Sequence, residues 1–266
     1  MGYTIITEVL TDMLRGSVLA HAGILQHVTL LEGEKSGNKI SVWNAQRSTA
    51  DDITGALLTA DKDNLIASIT CADKAIRHSW TPSEYNTLVR MNAFDKIFAM
   101  DADALGILME QALDTLLTSG TVTGSLATDN TFTLAEFMTA YATLMKNNVS
   151  KEDMVFLTGS AGAASALTNG IANPGGNVTS EPGVSGYIMG IPMIVSAQCT
   201  ISASTNGAAG YLFSREAVLA GIATSEPIGP EKSALTGGVE FATTLSYGFI
   251  FAEGVGDPRA YKFINP

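Results

Sequence analysis

Residues 186–196 read Gly186-Tyr187-Ile188-Met189-Gly190-Ile191-Pro192-Met193-Ile194-Val195-Ser196. Apolar residues flank Met189-Gly190 on both sides, which predicts a strand, a tight reversal and a second strand. Gly190 permits the reversal, and Pro192 is tolerated where a strand begins. The surrounding text extends the pattern. Met154-Val155-Phe156-Leu157 reads as a short buried strand, followed by an alanine-rich helix from about Ser160 to Leu167. Tyr211-Leu212-Phe213 reads as another strand, and Ser214 is placed to cap a helix running through Leu219. The tail alternates at Val239, Phe241 and Leu245 and through Tyr247, Phe249 and Phe251, then closes with Tyr261 to Ile264. Helices and strands are interspersed without a regular βαβ repeat, so the class is α+β.

Upstream, Thr81-Pro82-Ser83-Glu84 and Thr133-Leu134-Ala135-Glu136 both spell capping boxes, the first with Pro at the first helical position. The first opens a helical pattern with Phe94, Ile97, Phe98, Leu105, Leu108, Ala112, Leu113 and Leu116 on one side. Asp101, Asp103, Glu110 and Asp114 give the other side an acidic, solvent-facing character. A helix from about Asn92 to Leu117 would run nearly 40 Å at ~1.5 Å per residue, long enough to act as a spine. Residues 118–132, rich in Thr, Gly and Ser, read as a linker. The second capping box opens a helix with Phe137, Tyr141 and Leu144 inward. Nearer the start, Val28 to Leu31 and Lys39 to Trp43 read as a hairpin with a polar tip at 32–38, and 44–64 as an extended loop. A further extended segment, about Leu65 to Trp80, returns from it. These pieces hold few large apolar residues and predict a protruding arm that meets a partner elsewhere. Ile6, Val9, Leu10, Met13 and Leu14 form an i, i+3, i+4, i+7, i+8 stripe, the mark of a short amphipathic helix that needs a surface to lie on.

The 266 residues include 15 Lys and Arg against 26 Asp and Glu, a formal charge of −11. Only 15% of residues are charged and 46% are hydrophobic, and mean hydropathy is +0.21. No apolar run reaches the ~20 residues of a spanning helix, so this composition predicts a subunit that hides surface against copies of itself. The acidic balance and the absence of a basic cluster argue against a dedicated nucleic-acid binder. Cys71 and Cys199 are too few for a disulfide framework and too far apart for a C-x-x-C site, which points to a reducing compartment. Glu8 and Asp12 interrupt any secretory leader, and Ile6 stands where a myristoylation motif requires Ser or Thr.

No constellation for catalysis stands out. His21, His27 and His78 lie outside any metal-ligand spacing and read as ordinary partly buried histidines. Gly159-Ser160-Ala161-Gly162 follows a strand and opens a helix, which suits either an anion cradle or a plain strand-to-helix turn. Asp61-Lys62-Asp63 and Asp101-Ala102-Asp103 lack the Gly and Glu of a calcium loop. Asp51-Asp52 and Glu32/Glu34 are paired carboxylates in stretches that read as exposed loop. The chain reads as non-enzymatic, with no catalytic, cofactor-binding or metal site and no cofactor.

Taken in order, these pieces resemble the major capsid proteins of tailed bacteriophages with the HK97-type fold. The resemblance rests on residues 186–196, similar to that family's G-x-x-x-G-x-P-hydrophobic-x-x-S stretch. It is supported by Asp153-Met154-Val155-Phe156-Leu157, Tyr211-Leu212-Phe213-Ser214-Arg215-Glu216-Ala217 and Leu245-Ser246-Tyr247-Gly248. It implies an N-terminal arm at 1–27, an extended β-hairpin or E-loop at 28–80, a peripheral domain with a spine helix at 81–130, an axial domain at 131–238, and a return to the peripheral domain at 239–266. It also implies self-assembly into hexamers and pentamers of an icosahedral shell around a double-stranded DNA genome, in a virion assembled in the host cytoplasm. The DNA would be enclosed without sequence-specific binding, with no membrane involved. Portal and decoration proteins would be partners; with no coiled-coil extension before the arm, scaffolding would be a separate protein or none. Some relatives crosslink an E-loop Lys to a neighbour's Asn; Lys35, Lys39, Lys62 and Asn265 are the available residues, and nothing singles them out. Three other readings stay open: an encapsulin-like compartment shell, an enzyme using an acidic site such as Asp51 and Asp52, and a tail or decoration protein, which would more often be all-β.

Overall fold

Met189 and Gly190 both have positive φ, 55° and 84°, the geometry of a two-residue type I′ turn. This computed structural model describes residues 23–32, 35–36, 39–43, 66–91, 93–125, 132–174, 184–196, 208–223, 228–232, 238–252 and 257–264. Along the chain a 3₁₀ turn (Gly23–His27) leads into β1 (Thr29–Glu32), β2 (Lys35–Ser36), β3 (Lys39–Trp43), β4 (Ile66–Thr70) and β5 (Ala72–Trp80). Helices α1 (Pro82–Met91) and α2 (Phe94–Gly120) follow, then β6 (Thr121–Ser125), α3 (Leu134–Lys146), β7 (Met154–Thr158), α4 (Ser160–Thr168) and β8 (Asn173–Pro174). The chain continues through β9 (Val184–Ile188), β10 (Ile191–Val195), β11 (Ala208–Ser214), β12 (Val218–Ala223), β13 (Ile228–Lys232), β14 (Val239–Phe251) and β15 (Asp257–Ile264).

The I′ turn joins β9 to β10 in antiparallel register, Ile191 opposite Ile188 and Pro192 opposite Tyr187. Beside a two-residue turn the first pair exchanges hydrogen bonds and the second does not. Pro192 therefore lacks its N–H at a position that β9 does not use, and the parallel ladder to β7 starts only at Met193. This hairpin belongs to a seven-stranded sheet, ordered β6-β15-β11-β7-β10-β9-β8 among the described residues. Strand alternation splits the side chains between two cores. Met154, Phe156, Met193, Leu212, Tyr261 and Phe263 face α3 and α4, packing with Phe137, Ala140, Leu144, Ala163 and Ala166. Val155, Leu157, Ile194, Tyr211, Phe213 and Ala260 face the opposite core, which holds α2. The sheet is thus covered on both sides.

Helix α2 is the spine: its 27 residues span about 40 Å at ~1.5 Å per residue. Ala102, Leu105, Met109, Leu113 and Leu117 are essentially inaccessible to solvent. Their spacing of three and four puts them on one helical face, flanked by half-buried Leu108, Ala112 and Leu116. The same core takes in a five-stranded sheet, β1-β12-β14-β13 with β5 on β14. β5 lines one edge of β14 from Val239 to Tyr247, while β12 pairs with Ser246–Phe251.

Several expectations need correction. Capping at Thr81 holds, with Thr81 N–H donating to Glu84 at 2.8 Å, but the helix it opens ends at Met91. Ala93 N–H reaches back to the Leu88 carbonyl at 3.1 Å, a bond across five residues that closes a helix end before α2 begins. The expected helix through Leu219 is a single 3₁₀ turn, Arg215–Ala217, capped by Ser214 as expected. Val218–Ala223 is instead a buried strand between β1 and β14, because this run of apolar residues fills a central sheet position. Within the expected 118–132 linker, Thr121–Ser125 adds a parallel strand beside β15. Val28–Leu31 does not pair with Lys39–Trp43: β1 lies parallel to β12, and β3 takes β2 and β4 as partners. The proposed amphipathic helix at 6–14 and the loop at 44–64 lie outside the described residues.

Candidate assembly surfaces

Strands β3 and β4 form an antiparallel ribbon in register from Lys39–Thr70 to Trp43–Ile66. Ile40 and Ile69 sit directly opposite each other and are wholly buried, although Ser41 and Ser68 beside them are exposed. This pair packs in a small core with Cys71, Leu219 and Ala252. Beneath it, Gly221 of β12 faces Gly248 of β14 across the ladder. A Cβ at Gly248 would run into the Thr70 carbonyl oxygen, and one at Gly221 would stand 2.9 Å from Ile69 Cδ1. The close approach therefore requires glycine at Gly248, where the obstacle is backbone, whereas a Cβ at Gly221 would have to push the end of the Ile69 side chain aside. The Cys71 thiol points at the Ile69 carbonyl, 3.7 Å away, within the same core.

A polar seam joins the spine to the seven-stranded sheet. Ser196, the last residue of the stretch that decides the fold, donates to Glu110 Oε2 at 2.7 Å. One turn on, Tyr211 donates to Asp114 Oδ1 at 3.0 Å and lies 2.6 Å from Thr118 Oγ1. Lys262 Nζ donates to the Thr118 carbonyl at 2.8 Å. Burial pushes the Glu110 carboxyl above its ordinary value, and the Ser196 hydrogen bond opposes that shift only in part. Farther up the helix, Asp101 is buried against His78 Nε2 at 2.9 Å, and His78 stacks on Trp80 with ring centroids 5.2 Å apart. The acidic side expected to face solvent is therefore used for internal contacts at Asp101, Glu110 and Asp114, and Asp103 alone of the four is exposed. Carboxylates spaced like a solvated face and carboxylates that meet a sheet look the same in sequence.

Outward-facing apolar side chains are concentrated on the helices. Val89 and Met91 on α1, Met100 and Ile107 on α2, and Leu134 and Met138 on α3 are well exposed, Met91 at 71% and Met100 at 70%. Met145 on α3 and Leu167 on α4 are exposed as well. Single exposed apolar residues are ordinary, but eight on four helices among the described residues are surface that a neighbour could cover.

Residues weighed for chemistry are dispersed. Gly159 caps α4 in extended geometry without a side-chain bond, and the Ala163 N–H returns to its carbonyl at 3.0 Å, a plain strand-to-helix turn. His27 is buried, and Lys39 is exposed on the ribbon. His21, Glu34, Asp51, Asp52, Asp61, Lys62, Asp63, Cys199 and Asn265 lie outside the described residues, as do the side chains of Glu32 and Lys35. Among the described residues no group of three His, Cys, Asp or Glu could hold a metal, and no helix is long and apolar enough to cross a membrane. Gly221 and Gly248 were not singled out from the sequence. Their one signal is a glycine inside an otherwise apolar strand, which marks a close backbone approach.

No protein-family model matches the sequence, and no curated protein does either. Solved structures match over nearly the whole chain. The capsid of the cyanophage P-SCSP1u aligns with a TM-score of 0.56 at 15% identity, covering 90% of this chain and 86% of that one. The capsid of the native GTA particle gives 0.58 at 12% identity, covering 92% and 90%. A virus-like particle from Pyrococcus furiosus gives 0.61 at 14% identity, covering 96% and 98%. At these identities the likeness establishes the fold: an α+β chain with the architecture of HK97-type capsid proteins.

Proposed function

We propose that this chain is a major capsid protein, a non-enzymatic subunit that assembles with copies of itself into the shell of a virion. The observation that carries the reading is likeness to capsid subunits over 90% or more of the chain. The molecule's own chemistry agrees with it. Apolar side chains stand exposed on four helices, while polar groups that might have built a site are used in the seam and in the His78–Asp101 pair. In this reading residues 1–27 are an arm, 28–80 the E-loop, 81–130 the peripheral domain with its spine, 131–238 the axial domain, and 239–266 the return. The sheets cut across that division, since β12 pairs with β14 and β15 lies in the seven-stranded sheet. Hexamers and pentamers, a separate scaffold or none, a portal and decoration proteins belong to the same proposal. The acidic composition suits a wall that encloses DNA without gripping it.

A second reading has its own support. The likeness to a virus-like particle from Pyrococcus furiosus, over 96% of this chain, supports an encapsulin-like compartment shell as the alternative, behind the capsid reading that several phage and GTA structures support. Electron microscopy of the purified chain at high concentration tests both. Closed shells, tubes, or rings of five and six subunits are expected. Shells that take up double-stranded DNA favour the capsid, and shells that hold only protein favour the compartment. A uniform population of monomers or dimers would overturn assembly by the chain alone, and would leave either a capsid protein that waits for its scaffold or a wrong reading.

A further inference from the structure

Among the described residues, the ribbon meets its own subunit over two glycines, where an added Cβ would displace a side-chain end at Gly221 and meet backbone at Gly248. Ile40 and Ile69 are its inward pair, both wholly buried, and they rest on Gly221 and Gly248, themselves paired across β12 and β14. A Cβ at Gly221 would lie 2.9 Å from Ile69 Cδ1 and 3.4 Å from Ile40 Cδ1. A Cβ at Gly248 would meet Ile69 Cγ2 at 2.7 Å and would also collide with the Thr70 carbonyl oxygen. Among the described residues, every ladder pairing of β3 and β4 is within the ribbon itself, to β2 or to each other. The sheet on which they sit is held independently, by the β1–β12 and β5–β14 ladders.

We propose that the Gly221–Gly248 pair is a seat that fixes the angle at which the β3–β4 ribbon leaves the subunit, and that these glycines are positioning residues for assembly. The consequence for assembly rests on the capsid reading; the seat itself does not. A displacement of a few tenths of an ångström at Ile69 acts at the root of a lever. The ribbon runs four residues beyond Lys39 to Trp43, at ~3.3 Å each, so tilt at its base grows toward its far end. In a shell built by repeating one contact, that tilt sets curvature.

The two glycines differ in a way that gives a sharp test. The atom nearest a Gly221 Cβ is Ile69 Cδ1, the one atom that Ile69→Val removes. The obstacle at Gly248 is backbone, which no side-chain change relieves. Hydrogen exchange on unassembled subunits should therefore speed at residues 39–43 and 66–70 in Gly221→Ala, by about tenfold or more as for a local opening, while β7 and β11 keep wild-type protection. Gly221→Ala/Ile69→Val should return to wild-type exchange, and Gly248→Ala/Ile69→Val should not. By electron microscopy, Gly221→Ala should give particles of altered diameter or none, and the double variant at Gly221 should restore wild-type particles. Wild-type exchange in Gly221→Ala, or a Gly221 defect that Ile69→Val leaves in place, would overturn the seat. If Gly221→Ala alone fails to fold, recovery of the fold in the double variant supports the proposal and continued failure overturns it. If the wild-type chain alone forms no particles, the consequence for assembly by this chain alone falls while the exchange measurements still decide the seat.

Discussion

Met189 holds a φ of 55°, a left-handed conformation that costs a non-glycine residue about 1–2 kcal/mol. Asn is favoured at this first position of a type I′ turn because its short polar side chain bonds locally. Met189 is also 39% exposed, so its side chain gives little packing in return. Met189→Asn is expected to stabilise the subunit by about 1 kcal/mol, raising the melting temperature by about 2–4 °C for a chain of this size, read by calorimetry. An unchanged or lowered melting temperature would count against the turn geometry. The reversal itself was legible, because Gly190 and Pro192 punctuate an apolar run, and so was the Thr133 cap, whose hydroxyl accepts from the Glu136 N–H as its spelling predicts. The role of Ser196 was not. Its partner Glu110 stands 86 residues away, and no local pattern announces a contact at that range.

At the scale of elements the spine was the most readable, since its buried positions repeat at helical spacing from Ala102 to Leu117. What the pattern concealed was which polar residues on the same helix would meet a sheet, and Glu110 is one of them. Burial raises its folded-state carboxyl above the ordinary 4.5, so the folded protein holds this proton more tightly than the unfolded chain. The associated stability is present below about 4.5 and is lost as pH rises through the higher folded value. Glu110→Gln keeps an acceptor for Ser196 and carries no charge. It is expected to flatten the decline in denaturation midpoint from about pH 4.5 upward, and to be the more stable form at neutrality relative to acid. Parallel wild-type and Gln profiles would show that the seam does not titrate. Glu84 shifts the other way: hydrogen bonds from Thr81 lower its carboxyl, so its contribution is present above 4.5 and lost on acidification. Elements that depend on distant partners were misread for the same reason. β12 follows a genuine cap at Ser214, and only its place between β1 and β14 makes it a strand.

For the whole molecule the governing quantity is a formal charge of −11 on every copy. Packing like-charged copies side by side is opposed by their repulsion, which salt screens: the Debye length shortens from ~30 Å at 0.01 M to ~8 Å at 0.15 M. Assembly followed by light scattering should therefore rise with ionic strength across that range. A fall would mean that opposite-charge pairs dominate the contacts between copies. Composition and the order of the pieces carried the architecture into view, whereas strand pairing stayed hidden because it joins residues far apart along the chain. That distance has a further result. β1 finds its place beside β12, where Thr29 bonds the Arg215 carbonyl 186 residues on, and β5 waits for β14. During synthesis the early strands thus leave the ribosome with their partners still untranslated, at about 5–20 residues per second. A chain cut short before Val239 has no β14 and cannot complete the floor on which the ribbon rests. On the capsid reading, an unfinished product would lack the shape that lets a copy join finished ones, so the topology itself would screen out the products of broken messages.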